Sequence, residues 1–372
     1  MKAWQWILMP ACAFVVLACA TVPEDGVPVA DVPVAAEEDL ALDSIRNVTR
    51  VMQLTGADSP NRTDRYVVHG TDLGSMFEHD GRIYLVFGDT FGPRPAGHTG
   101  GGGSLWRSNA LAYTSDRDAS DGITIDDWVT DATGTAKEVV ASPKRGGEIT
   151  KIPTHGVSAN GNIYLYFMSV SQWGDHGEWQ ANYSGVARST DDGRNFETVE
   201  ELRWPGPSGF VQVAIAPFED HLYFWTIPAG RFGGARLMRV TEAAIEDLEA
   251  YEYYAGMRDG TPLWSARMDD AVKIIEAPVG ELSVVWNPYL DRWIVTYLNE
   301  DTRSIELREA REPWGPWSTP FRVAHASRYP ALYGAYMHPA YFEDDGRIIY
   351  FNMSQWLPYN VFVMRAELVR RP

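Results

Sequence analysis

The sequence predicts an all-β chain folded as a five-bladed β-propeller, and three observations carry that expectation. The first is a hairpin that recurs. Asp80-Gly81-Arg82-Ile83-Tyr84-Leu85-Val86-Phe87 returns as Asn160-Gly161-Asn162-Ile163-Tyr164-Leu165-Tyr166-Phe167 and as Glu219-Asp220-His221-Leu222-Tyr223-Phe224-Trp225. It returns again as Leu290-Asp291-Arg292-Trp293-Ile294-Val295-Thr296-Tyr297 and as Asp345-Gly346-Arg347-Ile348-Ile349-Tyr350-Phe351. Each copy is a turn signal followed by a run apolar enough to be a buried strand. The second observation is spacing. The first apolar residues, Ile83, Ile163, Leu222, Trp293 and Ile348, lie 80, 59, 71 and 55 residues apart, room for four strands and their loops in each repeat. The third is Ser189-Thr190-Asp191-Asp192-Gly193-Arg194-Asn195-Phe196. It fits the Asp-box pattern Ser-x-Asp-x-Gly-x-x-aromatic, a turn between outer blade strands, so Asp191 is assigned no chemistry. A pair of β-sandwiches is the alternative architecture, and five similar hairpins argue against it.

In chain order, the start stands apart from the fold. Lys2 is the only charge before Glu24, and an apolar run from Ile7 to Ala18 is too short to span a membrane. Its end, Val16-Leu17-Ala18-Cys19, resembles a bacterial lipoprotein signal. That implies removal of residues 1–18, lipidation of Cys19 and a lipid-anchored place in the cell envelope. Ala20 after the cysteine points to the outer membrane, and an ordinary secretory signal is the alternative. Residues 19–45 read as the lipidated cysteine and a Pro-, Ala- and acid-rich tether, and 46–372 as a single propeller domain. Val48 to Gln53 are expected to complete the last blade. Later blade strands are expected at Ala110–Thr114, Gly185–Ser189, Arg236–Val240, Ile305–Arg308 and Val361–Leu368, and a short helix at Glu242–Ala250.

Composition narrows the partners. A net charge of −18 argues against nucleic acid and anionic lipid. The second cysteine, Cys12, falls inside the leader, so the mature chain has no disulfide and no cysteine metal site. The 14 Trp and 18 Tyr suit a protein that stacks aromatic faces on sugar rings, as well as one with an aromatic β core. A monomer is expected.

Propeller ligands sit at one mouth of the central channel, which selects the candidate residues. The turn at Asp80-Gly81 reverses the chain, so Asp72 and Asp89 should meet at one rim of the first hairpin. Two carboxylates there are what acid/base cleavage of a glycosidic bond requires, although Asp at a strand end equally caps turns. Glu281, at the start of an apolar strand, joins them as a third catalytic candidate. Substrate-binding candidates are Arg107 and Asn109 after the glycine run Gly100–Gly103, then His155, Gln172, Trp173, Gln212 and Arg231. From the last repeat come Tyr336, His338, Gln355, Trp356 and Asn360. Trp173, Trp356 and Tyr336 would stack on sugars, while Gln212, Gln355, Asn360 and His338 would hold hydroxyls. His155 and His338 are residues of a kind more often found as hydrogen-bonded core histidines than as catalysts. The glycine run lacks the Lys-Ser/Thr of a phosphate loop, the histidines lack zinc-protease spacing, and no serine sits in a nucleophile elbow. No cofactor is called for, and a central Ca²⁺ held by carboxylates stays open.

Several of these stretches resemble one bacterial family. They are Gly70-Thr71-Asp72-Leu73-Gly74, Phe87-Gly88-Asp89-Thr90-Phe91, Trp106-Arg107-Ser108-Asn109, Pro228 to Gly233, Gly280 to Val284, Tyr333 to Pro339, Met353-Ser354-Gln355-Trp356 and Tyr359-Asn360-Val361. Together they resemble the family catalogued as domain of unknown function 4185, from roughly Asn61 to Leu368. The resemblance implies a five-bladed propeller akin to furanosidase propellers. It also implies glycoside hydrolysis, since some members are endo-acting D-arabinanases of glycoside hydrolase family 183 that cleave α-linked arabinofuranose chains. The catalytic carry-over falls on Asp72 and Asp89, with Glu281 added by analogy with propeller furanosidases that use a Glu acid. Two other classes remain as rivals, a glycan-binding propeller without catalysis and a scaffold with a plugged channel.

Overall fold

The computed structural model describes residues Val32 to Pro372, so the leader and Cys19 lie outside the described residues. Five antiparallel sheets follow one another around a ring. Blade 1 comprises Leu73–His79, Arg82–Phe87, Ala110–Thr114 and Asp127–Trp128. Blade 2 comprises Thr150–Ala159, Asn162–Trp173, Trp179–Ser189 and Glu197–Pro205. Blade 4 comprises Leu282–Asn287, Arg292–Asn299, Ser304–Ala310 and Phe321–His325. Blade 5 takes Leu332–Glu343, Ile348–Gln355 and Asn360–Arg370 from the end of the chain and Leu42–Gln53 from its beginning. The innermost strands touch in a closed circle, blade 5 meeting blade 1.

Blade 3 departs from four strands. It runs Gln212–Phe218, His221–Ile227, Gly233–Thr241, Glu252–Arg258 and Thr261–Ser265, and Ile275–Val279 adds a further pairing to the mouth end of Gly233–Thr241. The helix expected at Glu242–Ala250 is two short 3₁₀ turns, Glu242–Ala244 and Leu248–Ala250. Asp247 takes the Glu249 N–H on its side chain at 3.0 Å and breaks the segment in the middle.

The hairpins turn as their sequences dictate. His79 pairs with Arg82 across a two-residue turn in which Asp80 and Gly81 have φ of 47° and 74°. Both central residues of such a turn need positive φ, which Asp tolerates and Gly adopts freely. Asn160 and Gly161 repeat this at 50° and 72°. The Asp-box behaves as a turn should: Asp191 Oδ1 accepts from Ser189 Oγ and Asn195 N, both at 2.8 Å, and Phe196 packs against the core.

Hydrophobic burial divides by blade junction. Five apolar clusters fill the five junctions, for example Phe77, Tyr84 and Leu111 against Ile163, Leu165 and Phe167 between blades 1 and 2. Phe351, Met353 and Met364 meet Ile294, Ile305 and Leu307 between blades 4 and 5. Each blade therefore buries both faces against its neighbours, which is why the hairpin strands read as continuous apolar runs rather than alternating ones.

Ring closure begins earlier in the chain than the expected tether boundary at 45. Leu42 already pairs with Arg370, and Gln53 ends opposite Phe362. The N–H groups of Ala41 and Leu42 donate to Glu309 Oε1 at 2.8 and 2.9 Å, and Ala35 N donates to Trp317 O at 3.0 Å. Residues 34–45 are therefore part of the fold, because the outer strand needs partners in blade 4 as well as blade 5. Leu42 is fully buried. We expect Leu42→Ala to lower unfolding stability by about 3 kcal/mol, read as a reduced denaturant midpoint, because it opens a cavity at the closing seam.

Candidate functional site

Every inner strand runs away from one mouth of the ring and its partner returns to it, so the mouth collects strand starts and second-strand ends. In blade 1, Leu73 pairs with Phe87, and Gly88 N donates to Asp72 O at 3.2 Å. Asp72 and Asp89 thus meet at the rim, as the hairpin argument requires. A Cβ on Gly88 would lie 2.5 Å from Asp72 Oδ1, so only glycine lets the Asp72 carboxyl lie over the backbone beside Asp89.

The two carboxyls have different surroundings. Asp72 is half-buried in the cavity wall. Its Oδ2 accepts from the Tyr333 hydroxyl at 2.9 Å, and its Oδ1 has no partner. Burial, reinforced by the negative charge of Asp89, pushes Asp72 up to about 8 against the pull of Tyr333. Asp89 Oδ1 accepts from Thr150 Oγ1 at 2.6 Å and from Trp106 Nε1 at 2.8 Å. Burial pushes Asp89 up to about 6, and those two donors keep it from rising further. Around neutral pH the pair therefore divides into a protonated acid and an anion.

Across the mouth lies an ion-pair cluster. Arg231 Nε and Nη2 donate to Glu281 Oε1 at 3.0 and 2.8 Å, Nε reaches Oε2 at 3.1 Å, and Nη1 donates to Glu300 at 3.0 Å. Burial works against the Arg231 charge, but the two glutamates outweigh it and hold the guanidinium protonated. That guanidinium lies 4.8 Å from the Tyr333 ring centre, linking the cluster to Asp72. His176 Nε2 stands 3.3 Å from Glu300. Gln212 Nε2 donates to the carbonyls of Pro228 and Gly230 at 3.0 and 2.8 Å, fixing the loop that carries Arg231.

These groups line one cavity of about 1000 Å³ whose walls include Phe91, Trp106, Trp173, Trp179, Phe232 and Trp356. Trp173 and Trp356 are 44% and 48% exposed, so each keeps part of its ring open to a ligand. The glycine run serves Trp356: a Cβ on Gly100 would lie 2.6 Å from its indole nitrogen.

Of the sequence candidates, Asp72, Asp89, Glu281, Trp173, Gln212, Arg231, Tyr336 and Trp356 line the cavity. Glu281 does so with both oxygens engaged by Arg231, so the third catalytic candidate anchors a cation. The others do not reach the cavity. Arg107 donates to the carbonyls of Ala136 and Val67, and Asn109 binds the backbone of Val139, Val140 and Lys151. Gln172 is an exposed residue opposite Gln180. Gln355 bonds Pro330 O and Arg50, and Asn360 bonds Thr55. His155 and His338 fail for one reason. Their inner strands start ahead of both histidines, at Thr150 and Leu332, so the mouth falls to Thr150 and Tyr333 and the histidines lie farther down the channel. Burial pushes both down to about 4 and keeps them neutral.

That placement also accounts for Thr150 and Tyr333, two of the four site residues that sequence reasoning missed. Tyr333 and Trp106 stood inside recognised motifs without an assigned role, whereas Thr150 and Glu300 had no motif to mark them. Among the described residues, the one group of three metal-type side chains with ligand atoms within 4.8 Å of one another is His79, Asp80 and Asp192. It does not include the mouth carboxylates considered for Ca²⁺.

The family model described as domain of unknown function (DUF4185) matches residues 58–365. The chain belongs to that family. A relative is the Notoamide biosynthesis cluster protein J of Aspergillus sp. (strain MF297-2), 26% identical over 349 residues, covering 87% of this chain and 89% of the relative. Among solved structures, a hydrolase candidate from Bacteroides ovatus superposes with a TM-score of 0.59 at 15% identity, over 90% of this chain and 96% of that one. An exo-β-1,3-galactanase from Phanerochaete chrysosporium, solved with β-1,3-galactotriose, superposes with a TM-score of 0.50 at 11% identity, over 87% of this chain and 64% of that one. At these identities the likeness is one of fold, and it agrees with the five-bladed ring of this DUF4185 protein.

The Asp72 environment has a consequence for stability. An unfolded Asp releases its proton near 3.9, whereas the folded Asp72 holds it to about 8. Its contribution to stability is therefore full below about 4 and is lost as pH rises towards about 8. Asn cannot ionise, so Asp72→Asn should raise Tm relative to the parent. We expect that gain to be small at pH 5 and to grow through pH 8, measured by thermal melts across the range.

Proposed function

We propose that this protein is a glycoside hydrolase that cleaves a furanose-containing polysaccharide, in the manner of an endo-D-arabinanase, with Asp72 as the acid and Asp89 as the working anion. One observation carries the reading: two half-buried carboxyls from one hairpin, lining an aromatic-walled cavity, hold their protons to about 8 and about 6. Two titratable groups pushed apart by their surroundings are what an acid/base assignment requires. Asp72, which stays protonated to about 8, would pass its proton to the glycosidic oxygen as the C–O bond breaks. Asp89, its Oδ1 fixed by Thr150 and Trp106, would attack the anomeric carbon or activate water with its other oxygen. Water then supplies the hydroxyl at the anomeric carbon and the proton that restores the acid. The Arg231–Glu281–Glu300 cluster would hold Tyr333 and the cavity floor in place while the Trp faces take the sugar rings. The lipoprotein-like leader would put this activity in the cell envelope.

The test is incubation of the purified protein with arabinan, arabinogalactan and other furanose polymers, with products followed by chromatography. We expect oligosaccharide release that falls at least about a hundredfold in both Asp72→Asn and Asp89→Asn. The rate should fall below about pH 6, as Asp89 takes a proton, and above about pH 8, as Asp72 loses one. Unchanged cleavage in either variant would refute the assignment.

The exposed indoles also favour a second reading, a glycan-binding propeller without catalysis. Trp356→Ala and Trp173→Ala separate the two. A hydrolase would show KM raised about tenfold by loss of stacking with kcat largely kept, read from initial rates. A binding module would show no turnover, affinity lost with Trp356, and affinity unchanged in Asp72→Asn.

A further inference from the structure

At the far end of blade 1, about 20 Å along the inner strand from Asp72, two sequence motifs meet. One is the hairpin turn of blade 1, ending His79-Asp80, and the other is the Asp-box of blade 2, with Asp192. The His79 side chain is only 3% exposed. Its Nδ1 stands 2.7 Å from Ser158 Oγ on the inner strand of blade 2. Its Nε2 has no hydrogen bond and faces two carboxylates, Asp192 Oδ1 at 3.7 Å and Asp80 Oδ2 at 3.9 Å. Both carboxylates are exposed, and neither oxygen has another partner among the described residues. The Tyr84 hydroxyl donates to the Asp192 carbonyl at 3.1 Å and fixes the turn that carries it.

We propose that His79, Asp80 and Asp192 bind one divalent transition-metal ion of the zinc class, which fastens blade 1 to blade 2. With the Nδ1 proton donated to Ser158, the imidazole presents a lone pair from Nε2, the orientation in which outer hydrogen bonds hold a ligating histidine. One neutral imidazole and two carboxylates balance the charge of a divalent ion. The imidazole favours zinc-like ions over calcium or magnesium, which prefer oxygen alone. The three ligand atoms lie within 4.8 Å of one another. Neighbouring ligands of a four-coordinate zinc stand about 3.3 Å apart, which a small rotation of the two exposed aspartates would reach. A fourth position opens to solvent.

A charged imidazole lying between the two aspartates is the competing account, and it needs no metal. The test is thermal melting of the chelator-treated protein with and without Zn²⁺, together with equilibrium dialysis. At a hundredfold excess over Kd the metal should raise Tm by about 3–5 °C and bind at one equivalent per chain. The double variant Asp80→Asn/Asp192→Asn, altered only at exposed positions, should fold, lose the Tm rise and lose the bound equivalent. His79→Gln removes the buried contact to Ser158 and is destabilising in itself, so the aspartates carry the test. No rise with Zn²⁺, a rise of the same size in the double variant, or an equal rise with Mg²⁺ would overturn the proposal.

Discussion

The pairing of Leu42–Gln53 with Asn360–Arg370 is the constraint on which the rest depends. It joins the beginning of the chain to its end and brings blade 5 against blade 1. The candidate site needs that junction more than any other. Asp72 and Asp89 belong to blade 1, while the Tyr333 hydroxyl on Asp72 and the Tyr359 hydroxyl, donating at 3.0 Å to the Asp89 carbonyl, belong to blade 5. Leu73 N donates to Ser354 Oγ at 2.8 Å, and Thr71 N to Tyr359 O at 3.0 Å, across the same seam. A long-range closure of this kind sets the position of two carboxyls separated by only seventeen residues.

Burying those carboxyls opposes folding. An unpaired acid loses its hydration, and two close acids repel when both ionise. The structure offsets this unevenly. Asp89 receives two donors on one oxygen, whereas Asp72 receives one donor and leaves Oδ1 bare. The five apolar junctions supply enough burial to tolerate a group that would be more stable as an amide. An unsatisfied acid at the floor of a cavity is the kind of local cost that a reactive site carries and a structural turn does not.

The cluster across the mouth shows how context changes the meaning of a residue. Glu281, standing alone in the sequence, read as a third catalytic carboxylate at the channel mouth. In the fold it meets Arg231 and Glu300, residues fifty and nineteen positions away, and becomes half of a buried ion pair. Arg107, Asn109 and Asn360 changed meaning in the opposite direction. Arg107 and Asn109 satisfy backbone groups of neighbouring loops and Asn360 bonds the Thr55 hydroxyl, structural roles that polar side chains fill more often than ligand binding.

The sequence by itself determined the repeating unit. Turn residues that accept positive φ, followed by apolar runs of strand length, are local signals, and they sufficed for five blades, for the closing strand around Val48 to Gln53 and for the meeting of Asp72 with Asp89 across one tight hairpin. Trp173 and Trp356 were likewise legible as residues near the mouth, because each stands at the end of a second strand. Only the tertiary structure decided where each inner strand begins, and with it whether His155 or Thr150, His338 or Tyr333, stands at the mouth. A strand is extended by pairing with neighbours distant in sequence, so its end is not written in its own residues. The same holds for the protonation of the two aspartates, which burial and the groups from blades 2 and 5 set and no local pattern encodes.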